Sequence, residues 1–352
     1  MQTEFVLITG GAGFIGTNIA RHYLRNNDPV HIFDNLSRPG VERNVSELLA
    51  EYPGRVLFTQ GDTRNRAAVL EAVSSGASAV YHLAAQVAVT TSLDDPVSDL
   101  ETNLLGTMNV LEAIRRSEIQ PPLLFTSTNK VYGRLAGVPL RETTDRYEPE
   151  NARLARSGAG EDQPLEFLSP YGCSKGSADQ YVLDYAHSYG IRATVFRMSC
   201  IYGPHQLGSE DQGWVAHFVR QAMRGEAITI YGDGKQVRDL LFVDDLVCAM
   251  RLAQENMHLS SGKAFNLGGG AENSTSLLQL IVQLKKLIGT GIEIEWRAER
   301  LADQRWYVAD TSKIRSALGW RPRVSIRQGL RALCEWYSER PSLIGQAAAR
   351  VA

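Results

Sequence analysis

The stretch FVLITGGAGFIGTNIARHYLRNNDPVHIFDN (residues 5–35) decides the fold. Its ends, FVLIT (5–9) and VHIFD (30–34), are short apolar runs that predict buried strands, and residues 14–26 between them have the periodicity of a helix. Gly10, Gly13 and Gly16 stand at the turn from strand to helix, where glycine lets the backbone turn tightly and approach a pyrophosphate at the helix N-terminus. We therefore predict a dinucleotide-binding strand–helix–strand unit, although a purely structural turn can use the same glycines.

The same alternation of apolar strands and helices continues outward from this unit. The further predicted strands are residues 55–59, 79–85, 122–128 and 193–199, and the predicted helices include residues 96–118 and 171–189. Strands that are apolar on both faces and alternate with helices indicate an α/β fold with a doubly wound parallel sheet, a modified Rossmann fold whose ligand crevice lies at the carboxyl ends of the strands. We expect residues 1–200 to form this domain, and residues 201–340 mainly to form a smaller C-terminal α/β lobe for the substrate, with segments that return to the first domain.

Composition excludes several other classes of protein. The 352 residues carry a net charge of −2, which gives no basic footprint for nucleic acid and no reason to expect a membrane surface. No apolar run approaches the ~20 residues of a membrane-spanning helix, and the N-terminus does not resemble a secretory leader. The four cysteines and seven histidines show no metal-ligand spacing. We expect a cytoplasmic protein with reduced thiols and no metal.

Asp34, at the end of the second predicted strand, points to the identity of the dinucleotide. A carboxylate there can bind both hydroxyls of the adenosine ribose and would repel a 2′-phosphate, so the sequence favours NAD over NADP. Arg38 tempers this preference, because an arginine in the same loop could meet a phosphate. Asp62, after the third strand, is a candidate contact for the adenine amino group, and an ordinary carboxylate of a surface turn is the alternative.

Tyr171 and Lys175 form the second motif. Their i, i+4 spacing puts both side chains on one face of a helix that starts at Ser169 and Pro170. A lysine ammonium and the positive end of the helix should stabilise the phenolate and lower a tyrosine pKa that is ordinarily ~10. Tyr171 could then exchange a proton with a substrate hydroxyl while a hydride moves at the carbon that bears it. Thr128, at the end of the fifth strand, is the third predicted catalytic residue; a threonine that only satisfies local backbone is its alternative.

These motifs resemble the extended short-chain dehydrogenase/reductase family, in the branch that modifies nucleotide-activated sugars. The resemblance covers nearly the whole chain and includes TGGAGFIG (9–16), HLAAQ (82–86), YGCSK (171–175), RMSCIYGP (197–204) and FNLGGG (265–270). It implies a tightly bound NAD that is regenerated in each turnover, a sugar-nucleotide substrate and a homodimer or homotetramer. The implied cofactor contacts are Gly10, Gly13, Phe14, Ile15, Gly16, Asp34, Asn35, Ser37, Arg38, Asp62, Thr63, Leu83, Ala84, Ala85, Gln86, Asn103, Thr126, Tyr171, Lys175 and Met198.

Within the family, the strings STNKVYG (127–133), DQGWV (211–215), GKQVRD (234–239) and DQRWYVAD (303–310) resemble epimerases that invert C2 of a CDP-hexose. The long insert at residues 133–168 resembles the same subgroup, and we expect it to line the sugar pocket. The resemblance implies that the sugar is faced by Gln86, Thr90, Thr128, Asn129, Lys130 and Ser199. It implies that the nucleotide diphosphate is bound by Gln212, Trp214, Arg238 and Arg305; ion pairs with Asp239 and Asp303 are the alternative for the two arginines.

Asn129 and Lys130 argue against a dehydratase. Sugar-nucleotide 4,6-dehydratases follow the catalytic threonine with Asp-Glu, which supplies an acid and a base, whereas an amide transfers no proton and a lysine is expected to stay cationic. The sequence therefore favours epimerisation, in which a hydride is borrowed and returned. Inversion at C4, another nucleotide, a net dehydrogenase that uses Cys173 or Cys200, and a non-catalytic NAD-binding sensor or scaffold remain alternatives; the choice of C2 depends on resemblance alone.

Overall fold

A parallel seven-stranded sheet forms the centre of the computed structural model, which describes residues 4–289, 291–300 and 303–344. Its strand order, β12-β8-β5-β4-β1-β2-β3, confirms the predicted doubly wound α/β fold. The strands are β1 (Phe5–Thr9), β2 (Val30–Asp34), β3 (Val56–Gln60), β4 (Ala77–His82), β5 (Leu123–Thr128), β6 (Leu140–Glu142), β7 (Tyr147–Pro149), β8 (Ala193–Met198), β9 (Cys200–Tyr202), β10 (Ile228–Tyr231), β11 (Val237–Phe242), β12 (Lys263–Leu267), β13 (Ser274–Ser276), β14 (Ile294–Arg297) and β15 (Trp306–Tyr307).

Helices cover both faces of this sheet, because alternate residues of each strand point to opposite faces. Val6 and Ile8 of β1 belong to an apolar core with α1, α2 and α10, whereas Phe5 and Leu7 pack in a second core with α3, α6 and α8. The helices are α1 (Phe14–Arg25), α2 (Val41–Glu51), α3 (Arg66–Ser74), α4 (Val89–Asp94), α5 (Pro96–Leu100), α6 (Gly106–Arg116), α7 (Ala152–Ser157), α8 (Ser169–Tyr189), α9 (Trp214–Arg224), α10 (Val243–Glu255), α11 (Met257–Ser260), α12 (Leu277–Ile288), α13 (Ser312–Leu318), α14 (Ile326–Ser338) and α15 (Pro341–Ile344). None of the described helices is long and apolar enough to cross a membrane.

Two predicted elements differ from the structure where the site is built. The helix predicted over residues 96–118 is interrupted by a π-helical turn at Glu101–Leu105, between α5 and α6. The strand predicted over residues 79–85 ends at His82, and the next three residues are a loop on the cavity wall. Both irregularities carry residues of the predicted site, which is where such departures from regular structure are expected.

The segment after residue 200 forms a lobe with a core of its own. Helices α9, α12 and α14 pack there around β10 and β11, and Ser276 and Gln279 cap the start of α12 through reciprocal hydrogen bonds. The chain does not stay in this lobe, since β12 returns to the central sheet and pairs with β8 in parallel. The domain boundary at residue 200 stays a prediction.

Candidate active site

One cavity of about 600 Å³ opens at the carboxyl ends of the central strands and extends into the C-terminal lobe. It brings together most of the residues predicted from sequence. The predicted residues on its wall are Gly10, Gly13, Phe14, Ile15, Gly16, Asp34, Asn35, Ser37, Arg38, Thr63, Leu83, Ala84, Ala85, Thr90, Thr126, Thr128, Asn129, Lys130, Tyr171, Lys175, Met198, Ser199, Gln212, Trp214 and Arg238.

The glycine turn at one end of the cavity has no room for side chains. Gly10 has a φ of +69°, and a Cβ added to it would lie 2.6 Å from the backbone nitrogen of Ala84. A Cβ on Gly16 would lie 2.6 Å from the carbonyl oxygen of Gly10. These positions therefore require glycine, and the turn leaves a bare backbone cradle before α1.

Asp34 is held at the end of β2 beside this cradle. One carboxylate oxygen accepts a hydrogen bond of 3.1 Å from the backbone nitrogen of Ala12, and the other accepts one of 2.9 Å from that of Leu36. Burial raises the pKa of Asp34, and these two bonds oppose the shift. The carboxylate is thus fixed in orientation on the cavity wall, as binding of two vicinal hydroxyls requires.

Tyr171 and Thr128 meet on the wall, and Lys175 lies one helical turn further along α8. Contact with the Thr128 hydroxyl lowers the pKa of Tyr171, but burial outweighs it and raises that pKa to about 12. The predicted net lowering of the tyrosine pKa is therefore wrong for the protein alone. Burial also lowers the pKa of Lys175 to about 7, with Asp179 and Asp99 opposing the shift, and its Nζ lies 4.3 Å from the centre of the Phe125 ring.

A buried polar network supports α8 from behind. Asn103, in the π-helical turn, donates to Asp99 at 3.1 Å and to the Ser174 hydroxyl at 3.0 Å, and accepts from the backbone nitrogen of Gln86 at 2.8 Å. Ser174 in turn donates to Asp99. The network joins the loop after β4, the π-helical turn and the catalytic helix, so it fixes Tyr171 and Lys175 relative to the cofactor cradle.

The opposite end of the cavity is charged. Asp303 lies between two cations, with Arg238 Nη2 at 2.7 Å and Lys130 Nζ at 3.6 Å from the same carboxylate oxygen. Burial lowers the pKa of Lys130, and Asp303 opposes the shift. Because Arg238 and Lys130 share one carboxylate, this corner keeps an excess of positive charge suited to phosphate.

Sequence reasoning missed Arg300 and Tyr231 on the same wall. The Arg300 guanidinium carbon lies 3.9 Å from the centre of the Tyr231 ring, and Arg300 also pairs with Asp211 at 3.2 Å. Arg300, Tyr231 and Trp214 all lie on the cavity wall, where planar groups of this kind offer surfaces on which a base could stack. The GDG turn at residues 232–234 after Tyr231 marked this segment only as a loop, so nothing in the pattern singled these side chains out.

Four predicted site residues do not lie on the cavity wall. Asp62 is bound by Arg64 at 2.8 Å, Gln86 binds the backbone of its own loop, and Asn103 lies in the network described above. Arg305 lies over the ring of Tyr147, at 5.4 Å, and not against Asp239 or Asp303, so the alternative of an ion pair does not hold for it. The alternative does hold for Arg238, which pairs with Asp303. Their predicted ligand contacts stay predictions.

The 133–168 insert does not line the cavity, so the expectation that it forms the sugar pocket is wrong. Its backbone at Tyr147 binds the carbonyl of Lys235 at 3.1 Å, and Gln279 donates to its Asp145 at 2.9 Å. The insert therefore packs against the C-terminal lobe, and its end also binds the turn after Thr128, where the backbone nitrogen of Glu166 donates to the carbonyl of Val131 at 2.9 Å. Sequence position beside Thr128 suggested contact with the sugar, but the hairpin of β6 and β7 turns away.

The two cysteines near the site are unsuited to nucleophilic chemistry. Cys200 lies on the wall, but burial raises the pKa of its thiol, and the Trp214 indole donates to its sulfur at 3.4 Å. Cys173 is exposed and lies outside the cavity lining. Since the thiolate is the nucleophile, neither residue favours an acid-forming dehydrogenase.

The cavity fits a dinucleotide at its glycine-rich end. The cradle excludes side chains, Asp34 presents a fixed carboxylate, and the hydroxyl oxygens of Ser127 and Thr90 are buried on the wall without a protein partner. With a tyrosine, a lysine and a threonine at its centre, the fold and site define the class of Rossmann-type oxidoreductive enzymes.

Comparison with known proteins gives the family. A model of the NAD dependent epimerase/dehydratase family matches residues 6–268, and the chain belongs to this family. It is 41% identical over 339 residues to the CDP-paratose 2-epimerase of Salmonella typhi, covering 95% of this chain and 99% of that protein. The predicted family, the NAD dependence and the enzymatic nature of the protein are thereby confirmed.

Solved structures agree with this assignment. A UDP-glucose 4-epimerase of Thermotoga maritima, solved with UDP-glucose, superposes with a TM-score of 0.81 at 31% identity and covers 95% of this chain and 98% of that chain. The UDP-glucose 4-epimerase of Thermus thermophilus in complex with NAD gives a TM-score of 0.79 at 31% identity, with coverages of 95% and 99%. The protein is therefore an NAD-dependent enzyme of the sugar-nucleotide epimerase type.

Proposed function

We propose that the protein inverts C2 of a CDP-hexose, in a reaction of the CDP-paratose to CDP-tyvelose type. The observation that carries the proposal is the pair Asn129 and Lys130 directly after Thr128 on the cavity wall, in a chain that is 41% identical to a CDP-paratose 2-epimerase. The pair leaves no carboxylic acid at this point to expel water, which separates the site from that of a dehydratase.

NAD, when bound, would supply a hydride acceptor and a positive charge. In the proposed chemistry Tyr171, as phenolate, takes the proton from the C2 hydroxyl and later returns it to the 2-keto sugar from its neutral form. Lys175, when it carries its proton, would stabilise the phenolate by its charge, and Thr128 would hold the reacting oxygen against Tyr171. The cofactor is unchanged after each cycle, so we expect it to be tightly bound.

We propose that the substrate binds with its nucleotide toward the C-terminal lobe. Arg238 offers a guanidinium group for the diphosphate, and the Tyr231–Arg300 pair and Trp214 offer surfaces for the base. Lys130 would face the sugar between these residues and Thr128.

Incubation with CDP-, UDP-, GDP- and dTDP-hexoses, followed by proton NMR, tests the substrate. We expect inversion at C2 of a CDP-hexose; inversion at C4 of a UDP-hexose would establish the second candidate, which the likeness to UDP-glucose 4-epimerases favours. The same reaction in D2O tests the mechanism, because hydride return leaves no solvent deuterium at the inverted carbon, whereas enolisation introduces it.

We also propose a cytoplasmic homo-oligomer, a dimer or tetramer. Helix α8 contacts α5, α6 and the π-helical turn between them, and large apolar side chains are exposed on α5, on α8 and on that turn. These are Val97, Leu100, Leu105, Tyr181 and Tyr189. Exposed apolar side chains on neighbouring elements support burial against a second copy, and the four free thiols support a reducing compartment.

A further inference from the structure

Gln304 links the turn that carries Thr128 to the segment that carries Asp303. Its side-chain nitrogen donates to the carbonyl oxygen of Gly133, and its side-chain oxygen accepts from Asn129 Nδ2 at 3.0 Å. The Asn129 oxygen in turn lies 3.5 Å from the Thr128 hydroxyl. Gln304 is only 1% exposed, so no water competes with these bonds.

The donors and acceptors in this series of hydrogen bonds fix the orientation of the two side-chain amides. A backbone carbonyl can only accept, so the nitrogen of Gln304 must face Gly133 and its oxygen must face Asn129. Asn129 must then present its nitrogen to Gln304 and its oxygen to Thr128. The buried amide of Asn129 therefore directs one N–H to Gln304 and its oxygen to Thr128.

A second link closes a ring between the two segments. The backbone nitrogen of Gln304 donates to Asp303 at 2.9 Å, and the same carboxylate oxygen binds Lys130, the neighbour of Asn129. Residues 129 and 130 are thus joined to residues 304 and 303 at two points. The turn between Thr128 and Gly133 is a short 3₁₀ segment in which the Thr128 hydroxyl also accepts a hydrogen bond of 3.2 Å from the backbone nitrogen of Lys130. The two links therefore hold the segment on which the Thr128 hydroxyl lies.

We propose that Gln304 is a positioning residue that acts through Asn129 on the Thr128 hydroxyl, and that Asn129 transmits this effect. The proposal rests on the proposed function only in that Thr128 contacts the reacting oxygen. Loss of the link should allow the turn to shift and misalign Thr128 with Tyr171, which reduces the rate of the chemical step more than substrate affinity.

The kinetic test uses Gln304→Met in the NAD-loaded enzyme, with whichever sugar nucleotide the wild type converts. We expect kcat to fall about tenfold or more, KM to stay within about twofold, and bound NAD to be unchanged. In a Thr128→Ala background the same substitution should have no further effect on kcat, because its route to the chemistry is already lost. An unchanged kcat, or the same fall in both backgrounds, would overturn the proposal.

A matched control and a substrate-free measurement complete the test. Ser260→Ala also removes a buried hydrogen bond, of 2.7 Å to the carbonyl of Ala253, but lies away from the cavity, and it should leave kcat unchanged. Hydrogen exchange of the NAD-loaded protein should be faster in residues 126–135 of Gln304→Met than of Ser260→Ala. Equal hydrogen exchange in the two variants would contradict the positioning role of Gln304, whether or not a CDP-hexose is converted. If exchange is faster in Gln304→Met but no CDP-hexose is converted, only the proposed function is contradicted.

Discussion

Asp179 accepts two hydrogen bonds of 2.9 Å each from the guanidinium of Arg197, in an ion pair with side chains only 0% and 5% exposed. Asp179 lies one turn after Lys175 on α8, and Arg197 lies on β8, so the pair ties the catalytic helix to the central sheet. Arg197 also donates to the Tyr132 hydroxyl at 3.1 Å, which extends the tie to the turn after β5.

Replacement of Asp179 by Asn should strongly destabilise the protein. A buried guanidinium without its carboxylate costs about 3–5 kcal/mol, which urea unfolding monitored by circular dichroism would measure. Asp184→Asn, on an exposed position of the same helix, is the control and should change the free energy of unfolding by less than about 0.5 kcal/mol. Equal effects of the two substitutions would show that the ion pair adds nothing to the fold.

Replacement of Tyr171 by Phe should abolish turnover without loss of NAD. The hydroxyl is the proposed proton acceptor, and such groups contribute about 10²–10⁴-fold to rates. Turnover is followed by NMR and cofactor content by release of NAD on denaturation. Tyr189→Phe, on the exposed end of the same helix, should retain full activity; a Tyr171→Phe protein that remains active would exclude the proposed mechanism.

Replacement of Asp34 by Asn should weaken NAD binding and reduce discrimination against NADP. The amide keeps the shape of the carboxylate but loses charge-assisted hydrogen bonds to the ribose, for which we expect about a tenfold loss of NAD affinity by calorimetry of cofactor-depleted protein. NADP affinity should fall less, because the repulsion of its 2′-phosphate is also removed. Asp28→Asn, which is exposed, serves as the control, and an unchanged ratio of the two affinities would contradict the assignment.

Stability should depend on pH through Lys175. Burial lowers its pKa from 10.5 to about 7, so between these values the unfolded chain holds a proton that the folded protein lacks. The unfolding free energy of cofactor-depleted protein should therefore rise as pH increases from about 7 toward 10. Lys175→Met lacks this contribution. The free energy of unfolding in urea, wild type minus variant, should therefore increase with pH. A difference that does not change with pH would contradict a lowered pKa of Lys175.

Replacement of Val97 by Glu should disrupt the proposed oligomer. A carboxylate in an apolar contact between copies cannot be hydrated without separating them, so we expect the mass measured by light scattering to fall to that of one chain. Val282 is similarly exposed but lies on α12 of the lobe, so Val282→Glu should leave the mass unchanged. If the wild type itself had the mass of one chain, the proposed oligomer would be excluded.

The central sheet and most of the cavity wall could be predicted from the sequence because their patterns are local. An apolar strand followed by Gly10, Gly13 and Gly16, or a tyrosine four residues before a lysine, is visible in a short window. Such windows also place each residue at the carboxyl end of a strand, where parallel strands bring them together.

Contacts between distant segments could not be predicted in this way. The bond from Asn129 to Gln304 joins residues that are 175 positions apart in sequence. The 133–168 insert between Thr128 and α8 turns away from the site because its polar groups pair with Lys235, Ser274 and Gln279. The predicted lowering of the Tyr171 pKa is wrong for a related reason. Helix spacing shows that a lysine lies near the tyrosine, but it does not show how deeply the tyrosine is buried.

The return of β12 to the central sheet has a consequence during synthesis on the ribosome. Strand β8 is complete at Met198, but its outer partner begins only at Lys263, so a growing chain presents an unpaired, apolar strand edge until the intervening lobe has emerged. Folding cannot finish from the N-terminus alone, and a chaperone that shields exposed strand edges would act in this interval. A chain released after residue 200 should aggregate, however complete its glycine cradle and its Tyr171–Lys175 pair.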